Sequence, residues 1–388
     1  MARLGDICDI LNGFAFKSER YVTSGIRIIR IANVQKGYIE DSTPVFYSYD
    51  SKEANKYALE DGDILMSLTG NVGRVAKLTK EYLPAALNQR VACLRIKDKV
   101  EADKAFLFNL LNSDYFEQQC IDASKGVAQK NMSTEWLKEY EIPLFPIKQQ
   151  QEISKTLDRV GALIFLRKQQ LAKLDELVKA RFVELFGDLH STNFPKCKMR
   201  DVCGIKHGYA FSGEFFTEED NNILLVTPGN FKVGGGFQEK KCKFFTGEYS
   251  KEYVLNGGDL IVTMTDLSKN MDTLGYSAIV PCTDRVYLHN QRIGLFVDLS
   301  EKINRVFLMY FMQTTEYRDS IIASATGSTV HHTSPSKILD CDVFVPPIEL
   351  QEQFAAFVEQ TDKSKLAIQE SLTKLETLKK ALMQRFFG

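Results

Sequence analysis

The chain has 388 residues, of which 44% are hydrophobic, and 49 basic against 50 acidic side chains give a formal net charge of −1. That length suits two or three domains, and the near-neutral balance excludes a protein that holds nucleic acid by bulk positive charge alone. With no run of about eighteen apolar residues a membrane-spanning helix is excluded, and eight scattered cysteines without a C-x-x-C pair argue against a zinc ribbon or disulfide framework.

The N-terminus MARLGDICDI is too polar for a signal peptide, and with the cysteine usage it points to a cytoplasmic protein with reduced thiols. Residues 1–146 read as a mixed α/β domain. Ile26 to Val34 and Asp63 to Leu68 are rich in branched residues and read as strands, the second leaving a Gly-Asp turn; Lys104 to Gln119 reads as a helix.

Residues 147–187 read as one long helix between Pro146 and Gly187. Ile153, Leu157, Val160, Ile164, Leu171, Leu174, Val178 and Leu185 form a heptad seam, interrupted by Arg167 and Arg181. A rod of about 57 Å needs a partner. It lies in the same chain. From Glu349 to Phe387 the same seam recurs as Phe354, Val358, Thr361, Lys365, Ile368, Leu372, Leu375, Lys379, Leu382 and Phe386, each 201 residues on.

The segment between, residues 188–347, opens with a polar linker (188–198) and repeats the first domain. Asn222 to Thr227 and Asp259 to Thr265 read as strands, Val306 to Tyr317 as a helix. Asn12-Gly13-Phe14-Ala15-Phe16 returns as His207-Gly208-Tyr209-Ala210-Phe211, Asp61-Gly62-Asp63-Ile64 as Gly257-Gly258-Asp259-Leu260, and Asn88-Gln89-Arg90 as Asn290-Gln291-Arg292. Offsets that drift by a few residues while order is kept indicate duplication with loop insertions. The chain is therefore α+β: two pseudo-symmetric mixed α/β domains, 1–146 and 188–347, joined by two long antiparallel coiled-coil helices, 147–187 and 348–388. A pseudo-two-fold closing such a chain also predicts that its two ends are neighbours.

Catalytic patterns are weak. Asp220 with Glu239-Lys240-Lys241 fits a loose nuclease spacing that chance supplies in so charged a chain, and the first repeat has no counterpart. His331-His332 has no further ligand at metal spacing, and Gly234-Gly235-Gly236 lacks the lysine and helix of a phosphate loop. Binding chemistry is better placed. After the Gly-Asp strand, Ser67, Thr69, Gly70, Asn71, Gly73 and Arg74 offer hydroxyls, free N–H groups and one guanidinium for a phosphate backbone. Thr265, Ser268, Lys269 and Asn270 stand there in the second repeat. Asn88, Gln89, Arg90 and Asn290, Gln291, Arg292 carry groups that pair with adenine and guanine edges, or else the Asn-Gln pair buttresses the turn. A third pair of loops holds Lys125, Gln129, Lys130 and Asn131 in one copy and Ser328, Thr329, His331 and His332 in the other.

At this point the chain resembles a specificity subunit of a type I restriction–modification system over essentially its whole length. The resemblance rests on NGFAFK (12–17), GDILMSLTGNVGR (62–74), NQR (88–90), PLFPIKQQQEI (143–153) and ELFG (184–187), and on GYAFS (208–212), PPIELQEQF (346–354) and RFFG (385–388) in the second copy. It implies two target recognition domains, each reading one half of a split site in double-stranded DNA. It implies paired spacer helices that fix the gap and hold two modification subunits, with restriction subunits joining that core. The subunit itself is then no enzyme and carries no cofactor; S-adenosylmethionine belongs to the modification partner, ATP and magnesium to the restriction partner. The second copy departs from the pattern by lacking Thr-Gly-x-x-Gly-Arg. The competing reading is a coiled-coil scaffold whose domains bind proteins.

Overall fold

Two helices of 40 residues each, Ile147–Phe186 and Ile348–Phe387, run about 60 Å apiece and organise a computed structural model that describes residues 1–388 apart from 125–130, 189, 191 and 241. No described helix is long and apolar enough to cross a membrane. The chain divides into two compact units, Met1–Gln169 with Gln369–Gly388 (unit 1) and Gln170–Ile368 (unit 2). Each unit thus takes the start of one long helix and the end of the other, which is the antiparallel arrangement. Lys168 Nζ meets Glu376 Oε1 at 3.0 Å in unit 1, and Lys365 Nζ meets Asp175 Oδ1 at 2.7 Å in unit 2. Solvated pairs of this kind add little stability; Lys365, on the seam, also reaches Asp362 Oδ1 on its own helix at 3.3 Å.

The seam residues are buried or half-buried, and the stripe widens at one end. Phe182 and Phe186 are buried while Arg181 and Leu185 flank them. The reason is local. Phe182 and Phe186 pack on Phe307 at 5.7 and 4.9 Å between ring centroids, so the helix end leaves the two-helix seam for the domain core. The second helix repeats this in unit 1, where Phe387 meets Phe106 at 5.5 Å in a core that also holds Leu4. Residues near both chain ends therefore share one core, as the duplication predicts.

Among the described residues the first sheet repeats strand for strand, while the second has three strands in unit 1 and five in unit 2. Unit 1 carries an antiparallel sheet in the order Cys8–Asn12, Val91–Ile96, Ile64–Ser67, Val75–Lys77; unit 2 carries Gly204–His207, Ile293–Val297, Leu260–Thr263, Ser277–Ile279. Beside each lies a second sheet with a parallel pair, Ile26–Ile29 on Ala85–Leu87 and Ile223–Val226 on Val286–His289. The predicted strand 26–34 stops at Ile29 because Asn33 closes a tight turn. Its Oδ1 accepts from Arg30 N at 2.9 Å and its Nδ2 donates to Glu40 O at 2.7 Å. Asn230 does the same with Thr227 N and Gln238 O. The predicted helix 104–119 is two helices, Lys104–Leu111 and Asp114–Ala123, because Ser113 Oγ accepts from Phe116 N and caps a new start. Its counterpart 306–317 likewise divides into Arg305–Phe311 and Thr315–Ser324.

The Pro-x-x-x-Gln signature at each rod start acts as a peg. Gln150 and Gln351 are fully buried. Gln351 Oε1 accepts from Asn304 N at 2.9 Å, and its Nε2 donates to Lys302 O at 2.9 Å and Pro346 O at 2.7 Å. Gln150 ties Asp103 N and Phe145 O in the same way. Gln351→Ala removes the partner of three backbone groups, that of Pro346 in a buried bond and those of Lys302 and Asn304 in part-buried ones, so we expect a loss of about 2–3 kcal/mol in chemical denaturation, confined to unit 2. Burial pushes the thiols of Cys8 and Cys203 up to about 12 and that of Cys341 to about 11; they behave as small hydrophobes.

Candidate nucleic-acid interface

In each repeat one residue joins the three candidate segments. Leu68 N donates to Arg90 O at 3.1 Å, and Leu68 O accepts from Met132 N at 2.9 Å. Met264 N donates to Arg292 O at 2.9 Å, and Met264 O accepts from Thr333 N at 3.0 Å. The strand exit thus holds the NQR turn on one side and the third loop on the other. Thr69 bridges to Asn131, and Thr265–Asp266 forms a two-residue antiparallel ladder with His331–His332. Sequence spacing did not reveal this junction, since Leu68 and Met264 at its centre carry no polar side chain; the duplicated order of the segments was the available signal.

The NQR turn divides its labour. Gln89 N donates to Phe14 O at 3.0 Å and Gln291 N to Tyr209 O at 2.9 Å, laying each turn against the glycine motif. A Cβ on Gly13 would lie 2.2 Å from Asn88 O, and one on Gly208 2.3 Å from Asn290 O, which is why the motif needs glycine there. Asn290 is 8% exposed and its Oδ1 accepts from Arg292 N at 3.0 Å. Asn290 shapes the turn, and Asn88, half-buried, occupies the equivalent place; Gln89, Arg90, Gln291 and Arg292 are exposed.

The first loop is split between inside and outside. Ser67 is buried, its hydroxyl engaged with Asn71 O and accepting from Arg74 N. Gly73 is buried too, and a Cβ there would meet Cys120 Cβ at 2.9 Å. Both shape the loop rather than its surface. Gly70 and Asn71 are exposed, and Thr69 is half-buried. Arg74 is half-buried and donates to Gln35 Oε1, a partner that sequence reading missed.

In the second repeat Thr265 is buried, with Oγ1 3.2 Å from His332 Nδ1. Ser268 is turned into its loop, where its Oγ accepts from Asp272 N at 2.8 Å. Lys269 and Asn270 are exposed, as are Ser328, Thr329 and His332, while His331 is half-buried. Asn131 is exposed; Lys125, Gln129 and Lys130 lie outside the described residues.

The two carboxylates of the nuclease-like pattern are taken up by other side chains. Asp220 takes a bidentate pair from Arg285 at 2.8 and 2.9 Å, and Glu239 accepts from Tyr287 Oη at 2.8 Å with Arg285 Nε 3.6 Å away. Lys241 lies outside the described residues. Among the described residues no group of three or more His, Cys, Asp or Glu is placed to hold a metal.

His289 sits under the second NQR turn where the first repeat has Leu87, and it is fully buried. Burial depresses its imidazole below the ordinary value, despite the 2.8 Å bond that Nε2–H donates to Ile293 O. The unfolded chain then binds the proton more tightly than the folded one. Stability is complete above about pH 6.5 and falls as pH drops below it. Thermal melts should show unit 2 losing stability from pH 7 to pH 5, and His289→Leu should flatten that dependence.

Fold and site define a class: a duplicated α+β module, each copy bringing polar segments to one strand-exit junction and pegged by a buried glutamine to a paired helix. Within that class the chain belongs to the type I restriction modification DNA specificity family, whose domain matches residues 1–176 and again 192–380. It is 23% identical over 347 residues to the type I restriction enzyme MjaVIII specificity subunit of Methanocaldococcus jannaschii, covering 84% of this chain and 78% of that one. It is 22% identical to the StySPI specificity subunit of Salmonella potsdam, covering 100% and 88%. In fold it is similar to the crystal structure of the S subunit of a type I restriction–modification system from M. genitalium, with a TM-score of 0.59 at 15% identity over 100% of this chain and 95% of that one.

Proposed function

We propose that each domain reads one half of a bipartite site in double-stranded DNA, and that the paired helices set the spacing and dock two modification subunits, with restriction subunits joining that core in the cytoplasm. The observation that carries this is the strand-exit junction, built twice with the same exposed Gln-Arg pair (Gln89-Arg90 and Gln291-Arg292) beside loops of different content. A shared amide and guanidinium suit purine edges or phosphates common to both halves. Divergent loops suit halves of different sequence. The contact set in this reading is the exposed one: Gly70, Asn71, Gln89, Arg90 and Asn131 in the first domain, and Lys269, Asn270, Gln291, Arg292, Ser328, Thr329 and His332 in the second.

Near-neutral charge fits a subunit that leaves nonspecific phosphate attraction to its partners, and two linked readers tolerate individually weak halves. The helices keep large apolar side chains in water, Leu163, Phe165 and Leu166 in unit 1 and Leu177 and Leu366 in unit 2, and these support docking of partner subunits. The chemistry belongs to those partners, which bring S-adenosylmethionine for modification, and ATP with magnesium for restriction. The test is to assemble the chain with its modification subunits and map methylated adenines on random DNA. One split motif is expected, and exchange of residues 188–347 for those of a relative should change one half of it. Methylation without sequence preference, or change in both halves, would overturn the reading.

A further inference from the structure

Leu267 is 74% exposed and immediately follows the Thr265–Asp266 strand. A lone leucine in water is ordinary on a protein surface. This one is held there. The ladder to His331–His332 fixes the strand before it. The buried Asp266 carboxylate fixes the loop after it, accepting from Ser268 N at 2.6 Å, Thr273 Oγ1 at 2.8 Å, Leu274 N at 3.0 Å and also Thr273 N. Arg318, itself 8% exposed, donates from Nη2 to Met271 O at 2.8 Å and lies 4.0 Å over the Tyr276 ring. Met271 is one of three non-glycine residues with positive φ among those described, at 55°. With both flanks clamped, the isobutyl group stays out in water. Around it the junction presents donors: Lys269 and Asn270 along the loop, His332 across the ladder, and Arg292 on the adjoining turn.

Counting three residues on from the strand-exit residue, Leu68 or Met264, the first domain has Asn71, also exposed, in a shorter loop. One domain offers an amide there and the other a branched alkyl group. An amide suits a hydrogen-bonded base edge. On the floor of the major groove the apolar feature is the thymine 5-methyl group. We propose that Leu267 is a specificity-determining residue that packs against the 5-methyl group of a thymine in the half-site read by the second domain. This deepens the reading of the chain as a DNA reader and rests on it.

The test uses the full chain assembled with modification subunits, and duplexes carrying the mapped site in which each thymine is replaced in turn by deoxyuridine. Deoxyuridine removes only the methyl group. The wild-type complex should bind about fourfold more weakly, the worth of one methyl-sized group, when one particular thymine is replaced. That thymine should lie in the half-site assigned to residues 188–347. Leu267→Ala should bind both duplexes equally at that position, while Val233→Ala, an equally exposed apolar side chain outside the contact set, should keep the wild-type deoxyuridine profile. Identical profiles for Leu267→Ala and wild type overturn the proposal, as does a sensitive thymine found only in the other half. If Leu267→Ala weakens all sequences alike and abolishes 2-aminopurine unstacking, the residue is a wedge and the proposal fails in that form. A wild-type complex with no sequence preference at all would instead sink the DNA-reading function itself.

Discussion

Phe387→Ala should melt unit 1 well before unit 2. The ring is buried edge-on to Phe106 at 5.5 Å, in a core with Leu4, Ile7, Leu107, Ile153 and Leu157. Cutting a buried phenylalanine to alanine removes its transfer energy and leaves a cavity, together about 3–5 kcal/mol. For a unit of this size that corresponds to a Tm lower by roughly 10 °C. Hydrogen exchange should show residues 1–146 losing protection while residues 188–347 keep theirs. Phe186→Ala should give the mirror result, since Phe186 fills the core of unit 2 against Phe307 and Phe354. Equal loss in both domains from either change would contradict the assignment of each ring to one core.

Gly208→Ala should disable one reader and spare the other. A Cβ at that position would lie 2.3 Å from Asn290 O and 2.4 Å from His289 O, and both atoms are backbone. Relief requires the chain at 208 to part from the Asn290 turn, breaking the bonds from Tyr209 N to His289 O and from Gln291 N to Tyr209 O. The cost is about 3 kcal/mol or more, in the range of strained backbone changes. The functional effect is larger, because Gln291 and Arg292 ride on that turn. Methylation mapping should show discrimination lost in the half assigned to residues 188–347 and kept in the other. Gly13→Ala, with Asn88 O at 2.2 Å, should do the reverse. Sharp reading of both halves by either variant would show that the close approach does not position the turn.

The large features were legible because they are periodic or repeated. The heptad positions lie buried or half-buried along both helices, and the anchors of the duplication, Gly13 with Gly208 and Gln150 with Gln351, prove to be matched contacts in the two units. What escaped depends on contacts distant in sequence. Ser113 looks like any residue inside an amphipathic stretch until its hydroxyl caps Phe116 N. Ser67 and Gly73 have the chemistry of a phosphate loop, and only packing shows them turned inward. The clamp of Asp266 and Arg318 spans residues 266 to 318, and neither has a counterpart at its place in the first repeat that would have flagged it. Asn290 and Gln291 are adjacent and chemically alike, yet one is buried and the other exposed; spacing carries no signal for that division.

The division of the chain into units has a consequence for how it is made. Unit 2 is the uninterrupted stretch Gln170–Ile368, so all of its residues are present once Ile368 has been added. Unit 1 lacks Gln369–Gly388, and with it Phe387, until those residues follow unit 2. The domain translated first is therefore completed last. At typical synthesis rates that leaves the face of Phe106 uncovered by Phe387 for roughly 10–40 s, a window in which a nascent chain exposes apolar surface to chaperones or to its neighbours. A product of stalled translation ending near residue 368 would carry a finished second reader and an unfinished first one, and only a chain carried through to Phe387 closes both.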